Sequence, residues 1–309
     1  MIVNNDSLDA VNRAFNEEIT RVFSERPPGT YSLITRDVPA SGSTNIEHIV
    51  LSLTGNYREW KGSRVINPLR AYSQQIDLKR WEDTIEVAVS DINAGNASVS
   101  MTLAQFASRA ASHSNEIVWT EVLSNPTCYD GVALLSNSHP NVASGYTTDN
   151  LTTNGLGFSE YKTGFEALRD MGDEAGKPLG CRATHLFTGP ELEELAQQIV
   201  GEPKPVGFAN TGEPATSSVV QTELLKNYIG GGVTAVVEPF IRNSEWFLFD
   251  TSKAAMPMYC YKFSDWKHTV RDSDDSDPVF NRDVVEYGLS AHLTPAAGAW
   301  QTCYGSVTA

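Results

Sequence analysis

Residues 56–92 read NYREWKGSRVINPLRAYSQQIDLKRWEDTIEVAVSDI. The closing DTIEVAVSD alternates Ile85, Val87 and Val89 with polar neighbours, the period-two pattern of a strand with one buried face. Upstream, IEHIVLSL at 46–53 reads as a second strand and as its natural partner, so the two describe a long hairpin. The chain between them is extended and polar, punctuated by Gly55, Gly62 and Pro68, with Trp60 and Tyr72 as apolar anchors. It is also basic. Between Tyr57 and Glu82 six cations (Arg58, Lys61, Arg64, Arg70, Lys79, Arg80) face three anions (Glu59, Asp77, Glu82), so this segment carries +3 while the rest of the 309-residue chain carries −18. One reading is a solvated loop of mixed charge; the other is an arm that docks on an acidic copy of the same chain. A two-stranded hairpin is marginal in water, so a tip of about thirty residues needs a surface to rest on, and that surface is expected on another subunit.

Helices and strands flank this finger in a definite order. Before it, NNDSLDAVNRAFNEEITRVFSERPPG (4–29) spaces Leu8, Val11, Phe15, Ile19, Val22 and Phe23 as one helical face, stopped by Pro27-Pro28-Gly29. After it, SVSMTLAQFASRAASHSNEIVWTEVLSNP (98–126) holds Leu103, Phe106, Ala107, Ala110, Ala111, Ile117, Val118 and Val122 on one face. Thr102 and Gln105 form a capping-box pattern, and Asn125-Pro126 ends the helix, so a rod of about 33 Å is expected from Thr102 to Leu123. Further helices are expected over Tyr161–Met171 and Pro190–Val200. The remainder is strand-rich: VTAVVEPFI, EWFLFD, MPMYCYKF, VVEYGLSAHL and AWQTCYGSV follow one another from 233 to 307. This order makes a single α+β architecture with a projecting hairpin.

Composition limits what the chain does. A net charge of −15 argues against a protein that grips nucleic acid through phosphate neutralisation, so contact with DNA is expected to be weak. No stretch approaches the length of apolar sequence a membrane helix needs, and the first residues carry neither a basic nor an apolar leader pattern. Cys128, Cys181, Cys260 and Cys303 are scattered without a CxxC pair, so neither a disulfide framework nor a zinc site is indicated, and a reduced cytoplasm is the expected setting. The six histidines show no metal-ligand spacing, and no cofactor is expected. DSDDSD (272–277) lacks the glycine and closing glutamate of a calcium loop and reads as a solvated acidic loop. Gly230-Gly231-Gly232 follows no strand and opens no helix, so it reads as a turn rather than a phosphate cradle.

One stretch offers catalytic residue types. CYDGVALLSNSHP (128–140) brings a cysteine, an aspartate and a histidine together in sequence, and a hydrolase using Cys128 with His139 is one alternative reading. Such a nucleophile needs a depressed thiol pKa and an oriented base. The same residues also read as structure: Asp130-Gly131 supplies a turn, Val132–Leu135 a short apolar run, and SNSHP another turn. A β-rich tail or adhesion protein is a second alternative.

Taken in order, NPTCYDGVALLSNSHP (125–140) after a long helix, the basic stretch 56–92 before it, GKPLGCRATHLFTGPELEELA (176–196), EWFLFDTS (245–252) and DPVFNRDVVEYGLSAHLTPAAGAWQTCYGS (277–306) resemble the major head subunit of phage Mu and its prophage relatives, a family with the HK97-like capsid fold. Departures from that family's pattern fall at Ser90–Gly95 and at His292, which stands where an arginine is expected. The resemblance implies an N-terminal arm (1–40), an extended hairpin called the E-loop with its flanking strands (41–95), a peripheral domain with a spine helix (96–182), an axial domain (183–280) and C-terminal strands returning to the peripheral domain (281–309). It further implies a virion protein, assembled in the host bacterial cytoplasm, that forms hexamers and pentamers of an icosahedral shell around double-stranded DNA. Portal, scaffold and decoration proteins are its expected partners, with no catalysis. Arg58, Trp60, Lys61, Arg64 and Arg70 are then the expected inter-subunit contacts.

Overall fold

The computed structural model describes residues 13–15, 17, 20–21, 29–42, 44–51, 59, 62, 71–94, 97–140, 147–173, 176–201, 232–242, 244–273 and 276–307. In chain order, a 3-10 turn (Thr30–Leu33) leads into β1 (Thr35–Pro39), β2 (Asn45–Leu51), β3 (Ala71–Asp77), β4 (Arg80–Ala88), α1 (Val89–Asn93) and α2 (Ala97–Leu123). There follow β5 (His139–Pro140), β6 (Thr147–Thr148), β7 (Leu151–Thr152), α3 (Phe158–Asp170), β8 (His185–Thr188) and α4 (Glu193–Val200). The chain ends with β9 (Thr234–Val237), β10 (Trp246–Phe249), β11 (Met258–Arg271), α5 (Asp277–Arg282), β12 (Val284–Ala297) and β13 (Cys303–Ser306).

Two sheets share α2. The first is four-stranded in the order β1-β11-β12-β4, with β1 parallel to β11 and the remaining pairs antiparallel. One face is covered: Val285, Tyr287 and Leu289 of β12 and Val87 of β4 pack on Val99, Leu103, Phe106 and Ala107 of α2. The other face carries Glu82, Thr84, Glu86 and Ser290 in solvent, which is why these strands alternate in sequence. Phe15 enters the same cluster, its ring 4.8 Å from Tyr287 and 6.3 Å from Phe106; the other residues of the expected N-terminal helical face, Leu8, Val11, Ile19, Val22 and Phe23, lie outside the described residues.

The second sheet is five-stranded in the order β7-β13-β10-β8-β9 and is covered on both faces. In β10, Phe247 and Phe249 face Trp119 and Val118 of α2, while Trp246 and Leu248 face Tyr161, Phe165 and Leu168 of α3 and Ala196 and Ile199 of α4. A strand buried on both sides has no polar phase, so WFLF is an unbroken apolar run. Gly189 permits the close approach after β8, since a Cβ there would lie 2.3 Å from the Ile241 carbonyl oxygen.

Three expectations require correction. The strand at 46–53 does not pair with DTIEVAVSD: β2 pairs with β3, from Asn45 opposite Asp77 to Leu51 opposite Ala71, whereas β4 pairs with β12. β3 is hidden in the sequence because AYSQQID is mostly polar, and the tip-side connection of the hairpin is therefore residues 52–70. The strand over DTIEVAVSD ends at Ala88, and Val89–Asn93 turns into α1, burying Val89 and Ile92. Third, α2 begins at Ala97 rather than at Thr102; its 27 residues span about 40 Å, and Thr102 and Gln105 are exposed mid-helix residues rather than a cap.

Candidate assembly surface

The root of the hairpin is fixed by its alternation. Tyr72, Gln74 and Ile76 of β3 point inward with Ile46 and His48 of β2, while Glu47, Ser73 and Gln75 are exposed. Ile76 and Ile46 join Tyr261, Ala296, Val38 and Tyr259 in one small apolar cluster. Tyr72 lies 5.4 Å from the Tyr129 ring, Gln74 Nε2 donates to the Thr127 carbonyl at 2.8 Å, and His48 Nδ1 meets the Tyr261 hydroxyl. At the lower end, Lys79 N–H donates to Thr294 Oγ1 at 2.7 Å, and Thr294 Oγ1 donates to the Asp77 carbonyl at 3.1 Å. The root thus rests on its own chain, while the tip, for which a seat on a neighbouring subunit is expected, lies almost wholly outside the described residues. The expected contact residues Arg58, Trp60, Lys61, Arg64 and Arg70 lie outside the described residues, in the connection between Leu51 and Ala71.

Other exposed features have no signal in the sequence. Phe280 on α5 is 80% exposed, Met101 on α2 64% and Phe263 on β11 50%. Near α5, Arg282 reaches both Glu86 and Glu286 across the open sheet face, and Arg271 stands 3.8 Å from Glu286. All of these charges are at least partly exposed, so each pair contributes little stability by itself.

The 3-10 turn at Thr30–Leu33 is clamped by a buried polar network. Fully buried Glu238, just after β9, accepts from Thr30 Oγ1 and from Asn115 Nδ2 at 3.0 Å through one oxygen, and from Phe240 N–H at 3.1 Å through the other. Trp119 Nε1 donates to Thr30 Oγ1 at 2.9 Å, and Tyr31 N–H donates to Asn115 Oδ1 at 3.0 Å. Gly29 packs directly on Asn115, where a Cβ would meet its side chain at 2.7 Å. Seven residues from three distant stretches, 29–31, 115–119 and 238–240, converge here, and they form no sequence motif.

The Cys128–His139 stretch is scaffold. Cys128 is buried in the core with Leu134, Leu135 and Cys303, and burial pushes its thiol far above the usual range, the opposite of an activated nucleophile. His139, fully buried, bonds Asp130 through Nδ1 at 2.7 Å, approaches the Leu134 carbonyl through Nε2 at 3.3 Å, and stacks on Trp300 with ring centroids 4.1 Å apart. Asp130 Oδ1 also accepts from Val132 N–H at 3.1 Å, closing the turn in which Gly131 takes a positive φ of 82°. Gly232 is likewise a turn residue, and Gly230, Gly231, Asp274 and Asp275 lie outside the described residues. No cluster of His, Cys, Asp or Glu among the described residues could hold a metal ion, and none of their helices is long and apolar enough to cross a membrane.

Comparison with known proteins converges on one group. The profile of a family described as Mu-like prophage major head subunit gpT matches residues 8–157 and 232–309. The Mu-like prophage FluMu major head subunit of Haemophilus influenzae is 25% identical over 118 residues, covering 37% of this chain and 38% of that protein. The matched stretch therefore spans well under half of that relative. Among solved structures, the procapsid of bacteriophage JBD30 superposes with a TM-score of 0.55 at 19% identity, covering 98% of this chain and 75% of that one. The capsid of cyanophage P-SCSP1u gives 0.56 at 12% identity over 90% and 88%. These structures share the HK97-like capsid fold, which is thereby the fold of this chain.

Proposed function

Because the chain belongs to the Mu-like prophage major head subunit gpT family, we propose that its copies close into an icosahedral shell of hexamers and pentamers around double-stranded DNA. The observation that carries this reading is the family match over both the hairpin-plus-helix half and the strand-rich C-terminal half, on a fold shared with phage capsids. In this reading the chain is a structural component of the virion, assembled in the host bacterial cytoplasm, with portal, scaffold and decoration proteins as further partners. Its division is an N-terminal arm (1–40), E-loop hairpin (41–95), peripheral domain (96–182), axial domain (183–280) and returning C-terminal strands (281–309). The strands of 183–280 are shared between both sheets, β11 pairing with β12 in the four-stranded sheet and β10, β8 and β9 following β13 in the five-stranded one.

The hairpin tip is the proposed contact between copies. Arg58, Lys61, Arg64 and Arg70 offer positive charge, and Trp60 an apolar anchor, to a body that is −18 without its basic segment. The root seated on its own chain sets the direction in which the tip leaves. The net negative charge keeps packaged DNA from adhering to the wall. Negative-stain microscopy of the purified chain tests the reading: closed shells are expected, whereas fibres, small rings or persistent monomers would overturn it.

A further inference from the structure

Asn154-Gly155 is the one Asn-Gly dipeptide of the chain, and it lies in the bend between β7 and α3. Both residues are exposed, whereas Leu156 beside them is buried in the cluster of Tyr161 and Trp246. The Asn154 N–H donates to Thr152 Oγ1 at 3.2 Å, which holds the main chain just ahead of the pair. The Asn154 side-chain amide and the Gly155 N–H have no hydrogen-bond partner among the described residues. The amide carbon is thus free to turn toward the nitrogen that follows it, and glycine carries no Cβ to obstruct that approach.

The core reaches this exposed pair through one hydrogen bond. Trp246, fully buried in β10, donates its Nε1–H to the Asn154 main-chain carbonyl at 3.1 Å. That carbonyl and the Gly155 nitrogen belong to a single conjugated peptide group. When the nitrogen gives up its proton, negative charge spreads onto the carbonyl oxygen, where the indole N–H already points. A donor aimed at an oxygen on which charge develops stabilises that charge. The buried indole therefore assists the exposed peptide nitrogen as a nucleophile.

We propose that Asn154 is a site of self-modification, converted through a succinimide to aspartate and isoaspartate. The Gly155 nitrogen loses its proton and bonds to Asn154 Cγ, while the Cγ–Nδ2 bond breaks and the amide nitrogen takes up a proton and leaves as ammonia. Water then opens the five-membered ring. Addition at Cγ gives aspartate; addition at the main-chain carbonyl gives isoaspartate, in which the chain continues through Cγ and the former carbonyl becomes a free carboxylate. Trp246 Nε1–H polarises that second carbonyl and remains a donor to the carboxylate it becomes, so isoaspartate is the favoured product. The net change is one water consumed and one ammonia released. It adds a negative charge and, in isoaspartate, lengthens the main chain by one carbon just ahead of buried Leu156. In the assembly proposed above, the change accrues copy by copy with the age of the particle.

The test reads the chemistry of a single chain, so it stands or falls separately from shell formation. The full chain is kept folded in mildly alkaline buffer and, in parallel, unfolded in urea at the same pH. Peptides are then followed by mass spectrometry with fragmentation that separates isoaspartate from aspartate. In the folded chain Asn154 is expected to convert before any other described asparagine and within the time in which the unfolded chain converts it, with a higher ratio of isoaspartate to aspartate. In Gly155→Ala the added Cβ lies 3.5 Å from Ser244 Cβ, an ordinary contact, so the variant is expected to fold alike and to keep Asn154 intact over that time. An Asn154 that outlasts the unfolded control, or a Gly155→Ala chain that converts as fast as the unmodified one, would overturn the site. A product ratio no higher in the folded chain would overturn the part assigned to Trp246.

Discussion

Cys128 shows how far a residue type is from a role. The sequence places a thiol eleven residues from an imidazole, but the fold spends the histidine on Asp130, the Leu134 carbonyl and the Trp300 face, and closes the thiol into core. Burial also pushes Cys181 up to about 11 and Cys260 up to about 12. At pH 8 all four thiols are therefore protonated and shielded. A thiol-reactive dye is expected to label none in the native chain over minutes and all four after denaturation; rapid native labelling would contradict the burial described. Glu238 is the converse case, an ordinary-looking glutamate in VVEPF that gathers three donors in the core. Glu238→Ala leaves Thr30, Asn115 and Phe240 N–H short of an acceptor and is expected to cost about 3 kcal/mol in urea unfolding.

At the scale of elements, periodicity is informative wherever one face meets solvent. β12 and β4 alternate because only one side is covered, and α2 shows its stripe because its outer face is wet. β3 escapes such a reading because its inward residues are Tyr72, Gln74 and Ile76, of which only Ile76 belongs to an apolar cluster; no pattern separates AYSQQID from loop. The start of α2 is misleading in sequence because Thr102 resembles a cap by residue type, while Val99, one turn earlier, is already buried against the sheet. α2 is the element on which both sheets depend, and Trp119 lies at their junction, 5.1 Å from the Phe187 ring and 6.2 Å from that of Phe247. Trp119→Ala removes the largest fully buried side chain of this helix and is expected to destabilise the chain by about 3–5 kcal/mol. A loss below about 1 kcal/mol in chemical denaturation would mean that the two sheets do not share this core.

Over the whole molecule, charge separates the basic finger from an acidic body. Arg58→Glu combined with Arg64→Glu is expected to abolish closed shells in negative stain while the subunits stay folded and soluble; normal shells from that variant would remove the finger from the contact. Assembly of the unmodified chain is expected to weaken as salt rises from about 0.1 M to about 1 M, since the Debye length contracts from about 10 Å to about 3 Å. A shell yield that does not respond to salt would point instead to apolar burial, at side chains such as Phe280 and Met101, as the main force holding copies together.

By itself the sequence determined the α+β class, the long helix, the strand-rich end, the concentration of positive charge at 57–82 and, through the ordered resemblance, the capsid family. These are local or compositional properties, carried by residues within a few positions of one another. The tertiary structure alone decided that β2 pairs with β3 and β4 with β12, that Thr30, Asn115, Trp119 and Glu238 form one buried network, and that His48 sits on Tyr259 and Tyr261. Those contacts join residues up to about two hundred positions apart, and which of them form depends on how the apolar faces of both sheets are shared by a single helix, a property of the packed chain that no window of sequence contains.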